Sequence, residues 1–175
     1  GAESFYMRLV KALHEQGPTT AVNRSDSLVS RELEGLVPQV HASMSSQWDV
    51  FSRRKISKLT QQQRPGIVQT YMTRATVLTH VKPNQGMVHV ARLGGFYKIK
   101  RFAHAHAWVA NTHSICDYLI KGGLPADKVF YIGNFVDRPA PPDQQQLQQL
   151  HQQLGLPDDA LEVVSLGRMV EKKGF

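Results

Sequence analysis

The sequence is poor in cysteine and contains no long apolar run. Cys116 is the only cysteine, so an internal disulfide is excluded and a reducing compartment fits the composition. No apolar run approaches the roughly 18 residues that a transmembrane helix needs. Glu3 and Arg8 also interrupt the start before the apolar core of a signal peptide could develop. We therefore predict neither a membrane-spanning helix nor a signal peptide.

Acidic residues are fewer than basic ones. The 175 residues hold 14 Asp and Glu against 21 Lys and Arg, which gives a net charge of +7. Such a field attracts polyanions, including nucleic acid, nucleotide phosphates and anionic lipid surfaces. No nucleic-acid recognition motif is present and the basic residues are spread out, so we predict no nucleic-acid partner. A solvated basic surface without any partner is the open alternative.

Short apolar strands alternate with helical patterns along most of the chain. This alternation predicts an α/β fold with a doubly wound, mainly parallel sheet. We expect strands at 19–23, 36–40 (an edge strand), 67–70, 87–91, 108–110, 129–132 and 161–166. We expect helices at 5–13, 48–63, 73–81, 98–104 (short), 114–121 and 144–153.

A proline-rich stretch at 138–142 divides the chain, because prolines forbid regular pairing and stiffen the path. We predict a first domain over residues 1–137 and a linker with a surface helix over 138–160. A second domain is predicted to begin at 161–175.

Three histidines near 104–113 suggest a metal site, but no carboxylate or cysteine pattern completes a tetrahedral set of ligands, so we predict no metal site.

The end of the chain carries the most specific motif. An apolar strand pattern leads into Gly167, Arg168 and a Lys172-Lys173-Gly174 turn, where cations and backbone N–H groups could hold a phosphate. This stretch resembles the motif that opens the second domain of family-4 (group 1) retaining glycosyltransferases, which have the GT-B fold.

Upstream motifs follow the order of the same family. Val109-Ala-Asn-Thr112, Gly123–Val129 and Asn134-Phe-Val-Asp137 are similar to its successive strand ends and turns. The stretches Pro65–Ala75 and Ala91–Lys98 resemble a bacterial branch associated with lipopolysaccharide and other surface glycans. Gly1-Ala2-Glu3 resembles the turn after the family's first strand. The resemblance therefore implies a Rossmann-like N-terminal domain of GT-B type whose first strand is missing.

The resemblance also implies a reaction. The intact enzyme is expected to transfer a hexose from a nucleotide-diphosphate sugar to a glycan or glycolipid acceptor, with retention of configuration. No cofactor is implied, and the location is expected to be cytoplasmic. We expect the chain alone to be inactive, and we assign no catalytic residue. The alternatives are a non-catalytic binding subunit and a GT-B protein resembling a sugar-nucleotide epimerase.

The resemblance assigns two groups of site residues. Gly1, Arg168 and Lys173 are expected to bind the donor diphosphate, as a helix N-terminus and two cations can. The acceptor side of the cleft is expected to include Tyr71, Arg74, Arg92, Gly94 and Gly95. Many family members carry a histidine at or near the position of Arg92, so that role is not carried over to this chain.

A basic helix is the last candidate. Aromatic and basic residues lie close together between 48 and 58, as in helices that lie at a membrane interface. We expect contact with an anionic membrane surface, on the inner face of the membrane, through Trp48, Arg53, Arg54, Lys55 and Lys58. The alternative is an ordinary helix whose aromatic residues pack in the core.

Overall fold

The computed structural model describes residues 2–82, 86–136, 138, 140–141, 143–157, 161–167 and 169–171. The chain divides into two compact units, residues 1–136 and residues 137–175. In chain order the elements are α1 (Ala2–Gln16), β1 (Ala21–Asn23), α2 (Leu28–Glu32), β2 (Gln39–His41), α3 (Val50–Gln63), β3 (Ile67–Tyr71), α4 (Met72–Leu78), β4 (Val88–Leu93), β5 (Ala107–Ala110), α5 (His113–Lys121), β6 (Val129–Tyr131) and α6 (Gln144–Leu154). Two 3₁₀ turns, Ile99–Arg101 and Ala126–Lys128, precede β5 and β6.

The first unit contains two parallel sheets. Strands β1 and β2 form one, and β3, β4, β5 and β6 form the other in that order, with every pair parallel. Helices or helical turns connect successive strands, as parallel pairing requires. The predicted α/β, Rossmann-like parallel architecture is confirmed.

The two sheets are not hydrogen-bonded to each other in the described part of the chain. Tyr6 of α1 packs against the cluster that contains Ala21 of β1, and its ring packs edge-on against Tyr71 of β3 at 4.8 Å between ring centroids. Helix α1 therefore contacts both sheets. The prediction that a central first strand is missing stays a prediction.

The core of the larger sheet lies between β4, β5 and α5. It includes Leu93, Phe102, Trp108 and Leu119, all of them buried, and the indole N–H of Trp108 donates to the Phe102 carbonyl at 2.9 Å. Burying each such side chain contributes about 1.5–3 kcal/mol. A second cluster packs α1 and α2 against β1.

Several predicted elements need correction. The predicted strand at 36–40 begins at Gln39, after Pro38, and the predicted helix at 98–104 is only the turn Ile99–Arg101. Helix α2, capped by the Ser27 side chain, was not predicted. Among the described residues, no helix combines the length and the apolar character needed to cross a bilayer.

The largest error falls in the second unit. Residues 161–167 form no strand and are exposed, including Leu161 and Leu166. In this unit, helix α6 is capped by Asp143 at its start and by Gly155, which has φ +63°, at its end. A strand is stable only when a neighbouring strand takes up its backbone hydrogen bonds, and the described residues of this unit supply none.

Candidate functional site at the carboxyl ends of the strands

Parallel pairing brings the carboxyl ends of β3, β4, β5 and β6 to one edge of the sheet, where ligands bind in open α/β folds. Tyr71 and Arg92 are register partners on β3 and β4, so two of the predicted acceptor-side residues are neighbours. Arg74 lies in the first turn of α4, and Gly94 and Gly95 follow β4 directly. The structure therefore brings all five predicted acceptor-side positions to this edge.

Arg92 is the most buried of these residues. Its side chain is 3% exposed, and its guanidinium carbon lies 3.5 Å from the centroid of the Phe5 ring. Nη2 donates to the Ile132 carbonyl at 3.3 Å and to Oδ1 of Asn134 at 3.0 Å. Burial lowers the pKa of Arg92, although a guanidinium stays charged at neutral pH. Arg92 therefore holds the first turns of α1 against the segment that follows β6.

No carboxylate compensates this buried charge in the described structure, and Nε of Arg92 has no hydrogen-bond partner there. The ring of Phe5 adds a stabilising contact to the two hydrogen bonds, because the negative face of an aromatic ring attracts a cation. Sequence reasoning missed Phe5, which carries no signal beyond its place in an apolar helix face.

Tyr71 is the register neighbour of Arg92, and Tyr6 packs against Tyr71. Burial and, to a smaller extent, the charge of Tyr6 raise the pKa of Tyr71. Burial also raises the pKa of Tyr6, to about 12. Both hydroxyls are therefore neutral at physiological pH. Neutral phenols beside a cation do not repel an anionic ligand, whereas phenolates would.

The turn from β3 into α4 is backbone-strained. Met72 has φ +64°, a left-handed conformation that costs a non-glycine residue of the order of 1–3 kcal/mol and clusters at functional sites. The Thr76 hydroxyl donates to the Met72 carbonyl at 2.8 Å and fixes this turn. Nη1 of Arg74 donates to the Met44 carbonyl at 2.8 Å. The loop before α3 is thereby held at the same edge as Arg74.

The glycine pair after β4 lies against polar groups. A methyl group on Gly94 would lie 3.7 Å from Nδ2 of Asn111, and one on Gly95 would lie 3.3 Å from the Tyr97 ring. Oδ1 of Asn111 is buried without a hydrogen-bond partner in the described structure. Asn111, which follows β5 directly, is thus a further candidate, and its sequence signal is its place in the strand-end motif Val109-Ala-Asn-Thr112.

The predicted donor-side residues Gly1, Arg168 and Lys173 lie outside the described residues. Their assignment to the donor diphosphate stays a prediction. Within the described ranges, no group of three His, Cys, Asp or Glu side chains is arranged to hold a metal ion.

The basic helix α3 and the turn that precedes it expose their aromatic residues. Trp48 is 88% exposed and Phe51 is 82% exposed, while Ser52 and Ile56 face inward. The structure therefore contradicts the alternative in which these aromatic residues pack in the core. All four predicted basic residues of this helix are exposed as well: Arg53, Arg54, Lys55 and Lys58.

The fold identifies a class of proteins. The crystal structure of Anabaena Alr3699/HepE in complex with UDP and glucose matches 89% of this chain and 47% of its own chain, with a TM-score of 0.65 and 16% identity. The chain therefore has the Rossmann-like fold of GT-B glycosyltransferases.

The sequence comparison adds a particular relative. The chain is 29% identical, over 188 aligned residues, to the lipopolysaccharide core biosynthesis glycosyltransferase LpsE of Rhizobium meliloti (strain 1021). The alignment covers 100% of this chain and 50% of that protein, so the chain spans about half the length of its relative. No protein-family model matches the chain.

Proposed function

We propose that this chain is the acceptor-side part of a glycosyltransferase that builds lipopolysaccharide or a related bacterial surface glycan. The observation that supports this proposal most directly is the similarity to a lipopolysaccharide core glycosyltransferase along the whole chain. The site supports it, because two arginines, two glycines and two neutral tyrosines lie at or beside the ligand-binding edge of the sheet.

The finer points of the proposal follow the family resemblance. The donor is a nucleotide-diphosphate sugar, the transferred group is a hexose, and the reaction retains configuration as in family 4. Arg168, Lys173 and Gly1 bind the diphosphate, while Tyr71, Arg74 and the residues after β4 face the acceptor. An arginine fork and a lysine charge stabilise the negative charge that develops on the leaving diphosphate. No cofactor enters this scheme.

The test uses the protein that carries this chain, a panel of nucleotide sugars and a lipopolysaccharide-core acceptor. We expect sugar transfer, with the anomeric configuration of the product read by NMR. Arg74→Gln should raise KM for the acceptor about tenfold, as expected for loss of one charge-assisted contact. Arg31→Gln, which removes an exposed arginine on α2, is the matched control.

Three results would contradict parts of this scheme. Conversion of the nucleotide sugar without an acceptor would favour the epimerase alternative, and binding without turnover would favour the non-catalytic subunit. An unchanged acceptor KM in Arg74→Gln would remove Arg74 from the acceptor side. We also expect the 175-residue chain alone to be inactive and to bind nucleotide sugars more weakly than about 100 μM, roughly 5.5 kcal/mol.

The exposed helix supports peripheral attachment to the inner face of the membrane. Trp48 and Phe51 are placed to enter the headgroup region, and each nearby Lys or Arg adds about 1 kcal/mol at an anionic leaflet. Replacing all four basic residues by Gln should abolish binding to anionic vesicles at low salt while circular dichroism stays unchanged. Unchanged binding would show that the helix is merely solvated.

A further inference from the structure

A groove runs along one side of α3, and its described lining residues are cationic, neutral polar or apolar. Its inner part, about 180 Å³, is lined by Arg53, Ser57, Thr60, Gln61, Leu78, His80 and Lys82. Its outer part is lined by Val50, Arg53, Arg54, Ser57, Lys58 and Gln61. The two parts share Arg53, Ser57 and Gln61 on α3 and are together called the α3 groove hereafter.

The α3 groove is strongly cationic. Four cationic side chains line it, and none of its described lining residues is a carboxylate. Among the described residues, none of these four cations takes part in a salt bridge. Four like charges around one depression repel each other, and an anion placed between them would relieve that repulsion.

Hydrogen-bond donors accompany the cations. The amide of Gln61 donates to the Ser57 hydroxyl at 3.3 Å, which leaves the hydroxyl proton of Ser57 able to donate to a ligand. A guanidinium, an ammonium and a hydroxyl together match the several oxygens of a phosphate group.

The surroundings of the groove indicate which phosphate it would take. Val50 lines the groove at 54% exposure. Phe51, the next residue of α3, and Trp48, two residues before α3 begins, are also exposed. A freely soluble phosphate gains nothing from such apolar neighbours. A headgroup at a bilayer surface does, because its acyl chains lie next to it.

We infer that the α3 groove binds the phosphate of an anionic lipid headgroup, with Arg53 and Lys82 as the principal cations. This inference rests on the membrane attachment proposed above and gives it headgroup selectivity. Lys82, which lies in the segment after α4, would contact the headgroup together with Arg53 of α3.

The test measures binding of the 175-residue chain to phosphatidylcholine vesicles that contain phosphatidic acid or phosphatidylglycerol at matched surface potential. Phosphatidic acid exposes a phosphomonoester and phosphatidylglycerol a diester. We expect about a tenfold preference for phosphatidic acid, the effect of one additional charge-assisted hydrogen bond. The double variant Arg53→Gln with Lys82→Gln should lose that preference.

The matched control removes two exposed cations elsewhere, Lys100→Gln with Lys121→Gln, and should keep the preference. A wild-type chain that binds both vesicles equally would overturn the groove assignment while leaving attachment intact. No vesicle binding at all would overturn both. Inorganic phosphate that perturbs the NMR signals of the groove as strongly as the lipid does would show a site for a soluble anion and would overturn the lipid assignment.

Discussion

A buried histidine makes the stability of the first unit depend on pH. His89 on β4 is fully buried, and its Nε2 lies 2.9 Å from the Thr70 hydroxyl. The Thr76 hydroxyl donates to the Met72 carbonyl, so Thr70 must donate to Thr76 and can only accept from His89. This chain of bonds fixes the proton on Nε2. Nδ1 is left as a buried atom without a partner in the described structure.

Protonation of Nδ1 would therefore place an unpaired charge inside the protein. Burial lowers the pKa of His89 from 6.5 to about 4, with smaller contributions from the neighbouring His104, His106 and His80. Between pH 4 and pH 6.5, the unfolded chain therefore binds a proton at His89 more readily than the folded chain does. Stability from this group is fully present above pH 6.5 and is lost as pH falls toward 4.

The size of the stability loss follows from the difference between the folded and unfolded pKa values of His89. At about 1.4 kcal/mol per pH unit, the loss between pH 6.5 and pH 4 is of the order of 3 kcal/mol. Urea unfolding followed by tryptophan fluorescence measures it, because Trp48 and Trp108 are the only tryptophans and both lie in the first unit. Trp108 is buried and so reports the loss of the core.

The matching variant is His89→Gln, which keeps a donor for Thr70 and cannot titrate. We expect its unfolding free energy to depend less on pH between 6.5 and 4 than that of the wild type. Ile115→Val, a buried truncation that costs about 1 kcal/mol, should leave the pH dependence unchanged. Equal slopes in His89→Gln and wild type, or an NMR titration of the His89 ring near 6.5, would refute the reasoning.

Two further predictions concern stability. Thr112→Ala should lower the unfolding free energy by about 1 kcal/mol, because the Thr112 hydroxyl caps α5 by accepting from the N–H of Ile115, and Ser114→Ala should change it little. Arg92→Lys should destabilise more than Arg92→Met, because an ammonium is a strongly hydrated point charge that cannot both cover Phe5 and reach Asn134. Urea denaturation measures both, and the opposite order of the two Arg92 variants would contradict the second.

Local sequence patterns predicted most of the elements. Apolar β-branched runs marked the strands that became β3, β4 and β5, and helical periodicity marked α1, α3 and α5. Predicted helix 48–63 became Val50–Gln63 because Asp49 caps it, accepting from Ser52 N–H at 2.9 Å. These features are local, so a short window of sequence contains their causes.

The acceptor-side positions could also be placed at one edge from sequence, since strand ends meet there in any parallel sheet. The burial of Arg92 beneath Phe5 could not, because the two residues are far apart in the chain and meet only when α1 packs on the sheet. The partnerless Oδ1 of Asn111 is likewise a property of the packed structure.

The sequence by itself determined the α/β class and the approximate places of most strands and helices, because apolar patterns and turn residues act over a few positions. The tertiary structure decided which surfaces those elements present. It exposed Trp48 and Phe51, buried His89, and left residues 161–167 without a strand despite an apolar pattern. The physical reason is the same in each case. Burial and strand pairing depend on neighbours that are distant in sequence. A local pattern shows only that a segment could be buried or could pair as a strand, not whether such neighbours are present.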